Sequence, residues 1–193
     1  MKDNRIIELV GMPAVGKTTY MLNHISQKRR FVDANALLPT DHTKRQIYAF
    51  CASAYCLIKK PKMTIKSFFL ILNSRQKSFR DFLKVFSNWL LVNYQYEVAI
   101  RDRKKSWVFD QGLFQACWSI NYSARKPVDM SAVLYGCIKS SIVVILDIDD
   151  ETLSIREKNR DKTIRLDYTD RKDVADARKA FDMTVSLIEQ YYT

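Results

Sequence analysis

Arg5-Ile-Ile-Glu-Leu-Val10 runs directly into Gly11-Met12-Pro13-Ala14-Val15-Gly16-Lys17-Thr18, and the rest of the chain is best read outward from there. The first six residues are a short β-branched run that stops at a glycine, as a buried strand does. The next eight satisfy G-x-x-x-x-G-K-[ST] at every fixed position. Gly11 and Gly16 let the backbone wrap closely around phosphate oxygens with successive amides pointing inward. A helix starting near Lys17 adds free amides and a positive dipole end to the same anion. Lys17 supplies a mobile charge for β- and γ-phosphates, and the Thr18 hydroxyl suits Mg²⁺. The flanks agree: a strand precedes the loop, and Thr18–Gln27 carries good helix formers with Met21, Leu22 and Ile25 on one side. Residues Gly11 to Thr19 are therefore expected to hold a nucleoside triphosphate, with ATP and Mg²⁺ as the cofactors. Nothing in the sequence reads the base.

Further strands are expected at Arg30–Asp33, Ser106–Phe109 and Ser141–Asp147, the last apolar enough to be buried on both faces. Residues 40–105 are helical in pattern, with apolar positions at three- and four-residue spacing interrupted at Pro61. Helical patterns recur over 112–139, broken at Lys126-Pro127, and over Asp173–Tyr192. Asp149 or Asp150 can cap a helix carrying Arg156 and Arg160. Strands alternating with helices predict an α/β three-layer sandwich with a mainly parallel sheet of four to five strands.

The 193 residues are expected to form one domain, long enough to bury a core without staples. Residues 1–105 carry 20 basic and 7 acidic side chains, against 12 and 14 in residues 106–193. The basic half attracts polyanions, whether nucleic acid, anionic membrane surface or phosphorylated small molecules. Cysteines 51, 56, 117 and 137 form no CxxC pair and lie far from His24 and His42, which excludes a zinc site of that type. The N-terminus has no signal-peptide pattern and the longest apolar stretches are far too short to span a bilayer, so the expected location is cytoplasmic.

A triphosphate site needs an acidic group at the end of a neighbouring strand to hold the metal. Asp110, closing Trp-Val-Phe-Asp, is the favoured candidate. Asp147 is followed by Asp149, Asp150 and Glu151, a cluster that better fits the start of a helix. Thr18 and Asp110 are thus the expected metal ligands.

The loop at 11–18, the strand ending Phe109-Asp110-Gln111-Gly112, and Leu146–Glu151 followed by Arg156 and Arg160 resemble the P-loop nucleoside and nucleotide kinases, thymidylate and deoxynucleoside kinases above all. The resemblance implies a P-loop NTP hydrolase type of fold and an ATP-dependent kinase acting on a hydroxyl or phosphate acceptor. It also implies an acceptor-binding region at about 40–105 and a lid at about 150–165. By position, Arg156 and Arg160 are lid arginines that close over the transferring phosphoryl group. Asp33 stands where deoxynucleoside kinases place their general base, and whether Asp33 or Asp110 serves the acceptor stays open. Thymidylate kinases carry Asp-Arg, and deoxynucleoside kinases Glu-Arg-Ser, where this chain has Asp110-Gln111-Gly112; that shifts the acceptor toward sugar-like or other non-nucleotide molecules. The competing class is an NTPase switch or nucleic-acid assembly factor, the less favoured because no Asn-Lys-x-Asp motif occurs. Homodimerisation is left open.

Overall fold

Four strands stand within two residues of their expected bounds: β1 (Ile6–Val10), β2 (Phe31–Asp33), β3 (Ser106–Phe109) and β4 (Ser141–Ile145). The computed structural model describes residues 6–25, 31–102, 104–134, 141–158 and 171–192. The strands pair in the order β2-β3-β1-β4, and every pairing is parallel. Ile6 lies opposite Trp107 of β3 on one side and Ser141 of β4 on the other. The architecture is α/β.

Alternation along β1 divides the core between the two faces of the sheet. Ile6 and Val10 join the larger cluster, which draws on α4 (Phe79–Arg101), α5 (Leu113–Ser123) and α8 (Arg171–Tyr192). Leu9 and Val108 point the other way, toward Ile25, Tyr20 and Met21. The central strands β1 and β3 are apolar because helical segments cover both their faces. That second cover is α1 (Lys17–Tyr20) followed by a π-helical turn at Met21–Ile25, where the sequence pattern had predicted an uninterrupted α-helix. β4, expected to be buried on both faces, is instead an edge strand that leaves Ile142 and Ile145 exposed.

The long helical region resolves into α2 (His42–Lys59), α3 (Pro61–Asn73) and α4. Asp41 caps α2 by accepting from Lys44 N at 2.9 Å. Pro61 starts α3, at the position where its missing N–H costs nothing. The break between α3 and α4 was not anticipated. There Arg75 takes φ 51°, and Ser78 begins α4 by accepting from Asp81 N at 3.0 Å while its hydroxyl donates back to the Asp81 carboxylate. α4 buries Trp89, Leu90, Val92 and Tyr96, among others, against the other helices and the sheet. α5 is buried on almost every side. Among the described residues the remaining α-helices are α6 (Ser131–Leu134) and α7 (Asp150–Lys158). Among the described residues no helix is long and apolar enough to cross a membrane.

Candidate functional site

β1 and β3 are parallel neighbours in the middle of the sheet, so the loop that leaves β1 and the residues that leave β3 emerge side by side beyond the strands' carboxyl ends. Between them lies a cleft of about 370 Å³, within the usual size for a small-molecule site. The loop contributes Pro13, Ala14, Gly16, Lys17, Thr18 and Thr19 to its walls. Asp110 and Gln111 come from the end of β3, Gln115, Trp118 and Ser119 from α5, and Arg156 from α7.

Two glycines give the loop its shape. Gly16 has φ +101°, open to glycine and strained for a side chain, and Ala14 also takes a positive φ of 65°. Gly11 is required for space: a Cβ there would lie 2.6 Å from the Leu146 carbonyl oxygen and 2.7 Å from Val15. Met12 and Val15 turn inward and back the loop with buried apolar surface. The Lys17 ammonium curls over the loop and donates to the carbonyl oxygens of Gly11 at 2.7 Å and Met12 at 3.2 Å.

The Thr18 hydroxyl donates to Asp110 Oδ2 at 3.4 Å. Two hard oxygen donors thus face each other at one corner of the cleft. Adjacent ligands of an octahedral Mg²⁺ lie about 3 Å apart, so this pair fits two neighbouring positions after a small closure. Arg156 Nη1 donates to Val15 O at 2.9 Å, which brings the guanidinium against the loop beside Gly16. One mobile ammonium, one guanidinium, a hydroxyl and a carboxylate therefore converge on the same space. Such a set can hold a polyphosphate together with a divalent cation.

Other expected residues fall elsewhere. The Asp33 carboxylate accepts from Asn35 N at 2.8 Å, capping the 3₁₀ turn Ala34–Leu37, and Asp33 is not among the residues lining the cleft. Residues of the 40–105 region do not line it either. Arg160 lies outside the described residues, as does the lid beyond Lys158. Asp147 and Asp150 are both tied to Arg178 of α8, Asp147 Oδ1 at 2.6 Å from Nη1. Asp149 caps α7, accepting from Thr152 N at 2.7 Å, and those hydrogen bonds hold its carboxyl below the usual range.

Two features, one lining the site and one buried behind it, were missed in the sequence. One is the row Gln115, Trp118 and Ser119, a polar-edged facet at i, i+3 and i+4 on an otherwise apolar helix. Trp118 is fixed by donating from Nε1 to the Ala177 carbonyl at 3.1 Å, and Gln115 Oε1 accepts from Gly11 N at 3.3 Å, linking α5 to the loop. The other is Glu8, fully buried in the middle of β1. Its carboxylate accepts from the Tyr96 hydroxyl and from the first amides of α5, Phe114 N at 2.7 Å and Gln115 N at 3.2 Å. Burial nonetheless pushes the Glu8 carboxyl up to about 7, since these donors only partly replace water. The signal for it was a charged residue inside an apolar strand, which has to find partners on folding. Comparison with protein-family models, with curated proteins and with solved structures gave no match to the chain.

Proposed function

We propose that the chain is an ATP-dependent kinase that moves the γ-phosphoryl group to a hydroxyl or phosphate of a small acceptor, in a domain of P-loop type. The observation that carries this reading is the meeting of Lys17, Thr18, Asp110 and Arg156 in one cleft, with Thr18 Oγ1 and Asp110 Oδ2 3.4 Å apart. In this reading Lys17 exchanges its carbonyl contacts for β- and γ-phosphate oxygens. Thr18 and Asp110 hold Mg²⁺, which when bound draws charge from the phosphate oxygens. Arg156, anchored on the loop carbonyl of Val15, stands ready to neutralise charge that develops as the phosphoryl group leaves. Gln111, Gln115 and Ser119 offer amide and hydroxyl groups to the acceptor, with Trp118 as an apolar wall. Neutral hydrogen-bonding groups of that kind suit a polyol or glycan residue better than a second phosphate.

Transfer of a labelled γ-phosphate from ATP–Mg²⁺ to a pool of nucleosides, nucleotides and sugars tests the proposal, with Lys17→Ala as control. A labelled small product that disappears in the variant is the expected result. Label released only as free phosphate, whatever the pool, favours an NTPase switch instead.

A further inference from the structure

The outward side of α3 is unlike an ordinary solvated helix face. Its exposed positions Lys62, Ile65, Lys66, Phe69 and Leu72 recur at three- and four-residue spacing and alternate lysine with large apolar side chains. The first turns of α4 repeat the pattern with Phe79, Arg80, Leu83 and Lys84, all exposed. Phe79 is 74% exposed and Phe69 55%. The two exposed faces are joined from beneath: exposed Phe69 and Phe79 rest on half-buried Phe68 and buried Phe82, with centroids 5.5 Å apart for Phe69–Phe68, 5.4 Å for Phe68–Phe82 and 6.1 Å for Phe82–Phe79. Between Pro61 and Lys84 there are six basic residues and a single acidic one, Asp81, whose carboxylate is engaged by Ser78.

We propose that this α3–α4 hairpin docks on the surface of an anionic lipid bilayer. Clustered large apolar side chains exposed to water mark a contact site, and the charge around them selects the occupant. A second copy of the chain would bring Lys62, Lys66, Arg80 and Lys84 face to face with the same four cations. A nucleic acid would satisfy the cations and could stack on the phenylalanines, but it leaves Ile65, Leu72 and Leu83 wet. An anionic bilayer serves both halves of the pattern. Phenylalanine and aliphatic side chains enter the boundary between headgroups and acyl chains, while lysines and arginines reach outward to lipid phosphates. The inference is independent of the proposed phosphoryl transfer.

Co-sedimentation of the full chain with phosphatidylcholine vesicles, with and without phosphatidylglycerol, tests it. Binding is expected only with the anionic lipid and is expected to weaken as salt rises. Phe69→Ser/Phe79→Ser and, separately, Lys62→Gln/Lys84→Gln should each lower the partition coefficient about tenfold or more. All four side chains are exposed, so both variants should fold, which circular dichroism checks. Failure to bind anionic vesicles would overturn the proposal, as would equal binding by the variants and the parent. A dimer in sedimentation velocity that Phe69→Ser/Phe79→Ser dissolves would also overturn it, by assigning the surface to a second copy. RNA binding that the lysine pair weakens, without any vesicle binding, would assign it to nucleic acid.

Discussion

Glu8 sits three residues before the loop and explains a glycine that the family resemblance left unaccounted for. A Cβ on Gly112 would lie 2.2 Å from Glu8 Cδ and 2.5 Å from Oε1. The carboxylate occupies the space that a side chain at position 112 would need, because it caps the first amides of α5 from beneath. Gly112→Ala is therefore expected to cost roughly 1–3 kcal/mol or more, as overpacking of a filled interior does. In a Glu8→Ala background the same change should cost little, so a double-mutant cycle read by urea unfolding should show strong coupling. Additive effects would mean that Gly112 is needed for another reason. Glu8 also gives a pH signature. Its carboxyl is raised from 4.5 to about 7 in the folded protein, so the folded state holds a proton that the unfolded state has released. Stability is then favoured at low pH, falls as pH rises from 4.5 toward 7, and is flat above; the size is on the order of 3 kcal/mol. Glu8→Gln keeps a hydrogen-bond acceptor for the α5 amides without an ionising group. The difference in unfolding free energy between Glu8→Gln and the parent should grow across that window and then level off. A constant difference would show that Glu8 stays ionised throughout.

Elements were more legible than their neighbours in space. The strands and the major helices could be read because each has a single strong signal: β-branched runs for β1 and β4, three- and four-residue apolar spacing for α4 and α8, Pro61 at the start of α3. The start of α4 was also written locally, as Ser78-x-x-Asp81, a capping box that went unread inside a continuous helical pattern. The π-helical turn at Met21–Ile25 is different, since nothing in Met-Leu-Asn-His-Ile departs from helix-forming composition. The walls of the candidate cleft were legible where residues adjoin in sequence, at Pro13, Ala14 and Gly16 to Thr19, while Gly11, Met12 and Val15 of the same stretch are buried behind it, and strand ends were partly legible. Asp110 and Asp147 both close apolar strands; the acidic run after Asp147 favoured Asp110, and the tertiary contacts agree, since Asp110 faces Thr18 whereas Asp147 is bound by Arg178, a residue 31 positions away. On the proposed phosphoryl transfer, Asp110→Asn is expected to raise the Mg²⁺ concentration needed for half-maximal turnover about tenfold or more. Asp147→Asn should leave that concentration unchanged and lower stability by less than about 1 kcal/mol, as loss of an exposed ion pair does. A Mg²⁺ titration of turnover in the two variants decides it, and the reverse ranking would move the metal site to β4.

At the scale of the whole molecule, the strand order β2-β3-β1-β4 puts the chain's reversal of direction at β1, where open parallel sheets bind ligands beyond their carboxyl ends. The helical region from α2 to α4 could have been a separate unit hung on this sheet, but its packing argues otherwise. α4 reaches beneath the sheet, where Tyr96 meets both Glu8 and the ring of Phe109, and further along it Trp89 Nε1 donates to Ser67 of α3. One buried cluster includes Ile6 of β1, Cys56 of α2, Ile71 of α3 and Phe181 of α8. A core shared in this way makes the sheet and the helical region unfold together, so thermal unfolding should follow one transition by far-UV circular dichroism and by tryptophan fluorescence. Trp89 and Trp118 report the helical region and the cleft respectively. ATP–Mg²⁺ at about a hundred times its dissociation constant should stabilise the folded state by about 2.7 kcal/mol. For a chain of this length that raises the midpoint by roughly 5–10 °C. Because the core is common, both probes should shift by the same amount, and Lys17→Ala should abolish the shift while leaving the ligand-free midpoint nearly in place. A shift seen by tryptophan fluorescence but not by far-UV circular dichroism would mean that the cleft and the α2–α4 region unfold as separate units despite their shared core.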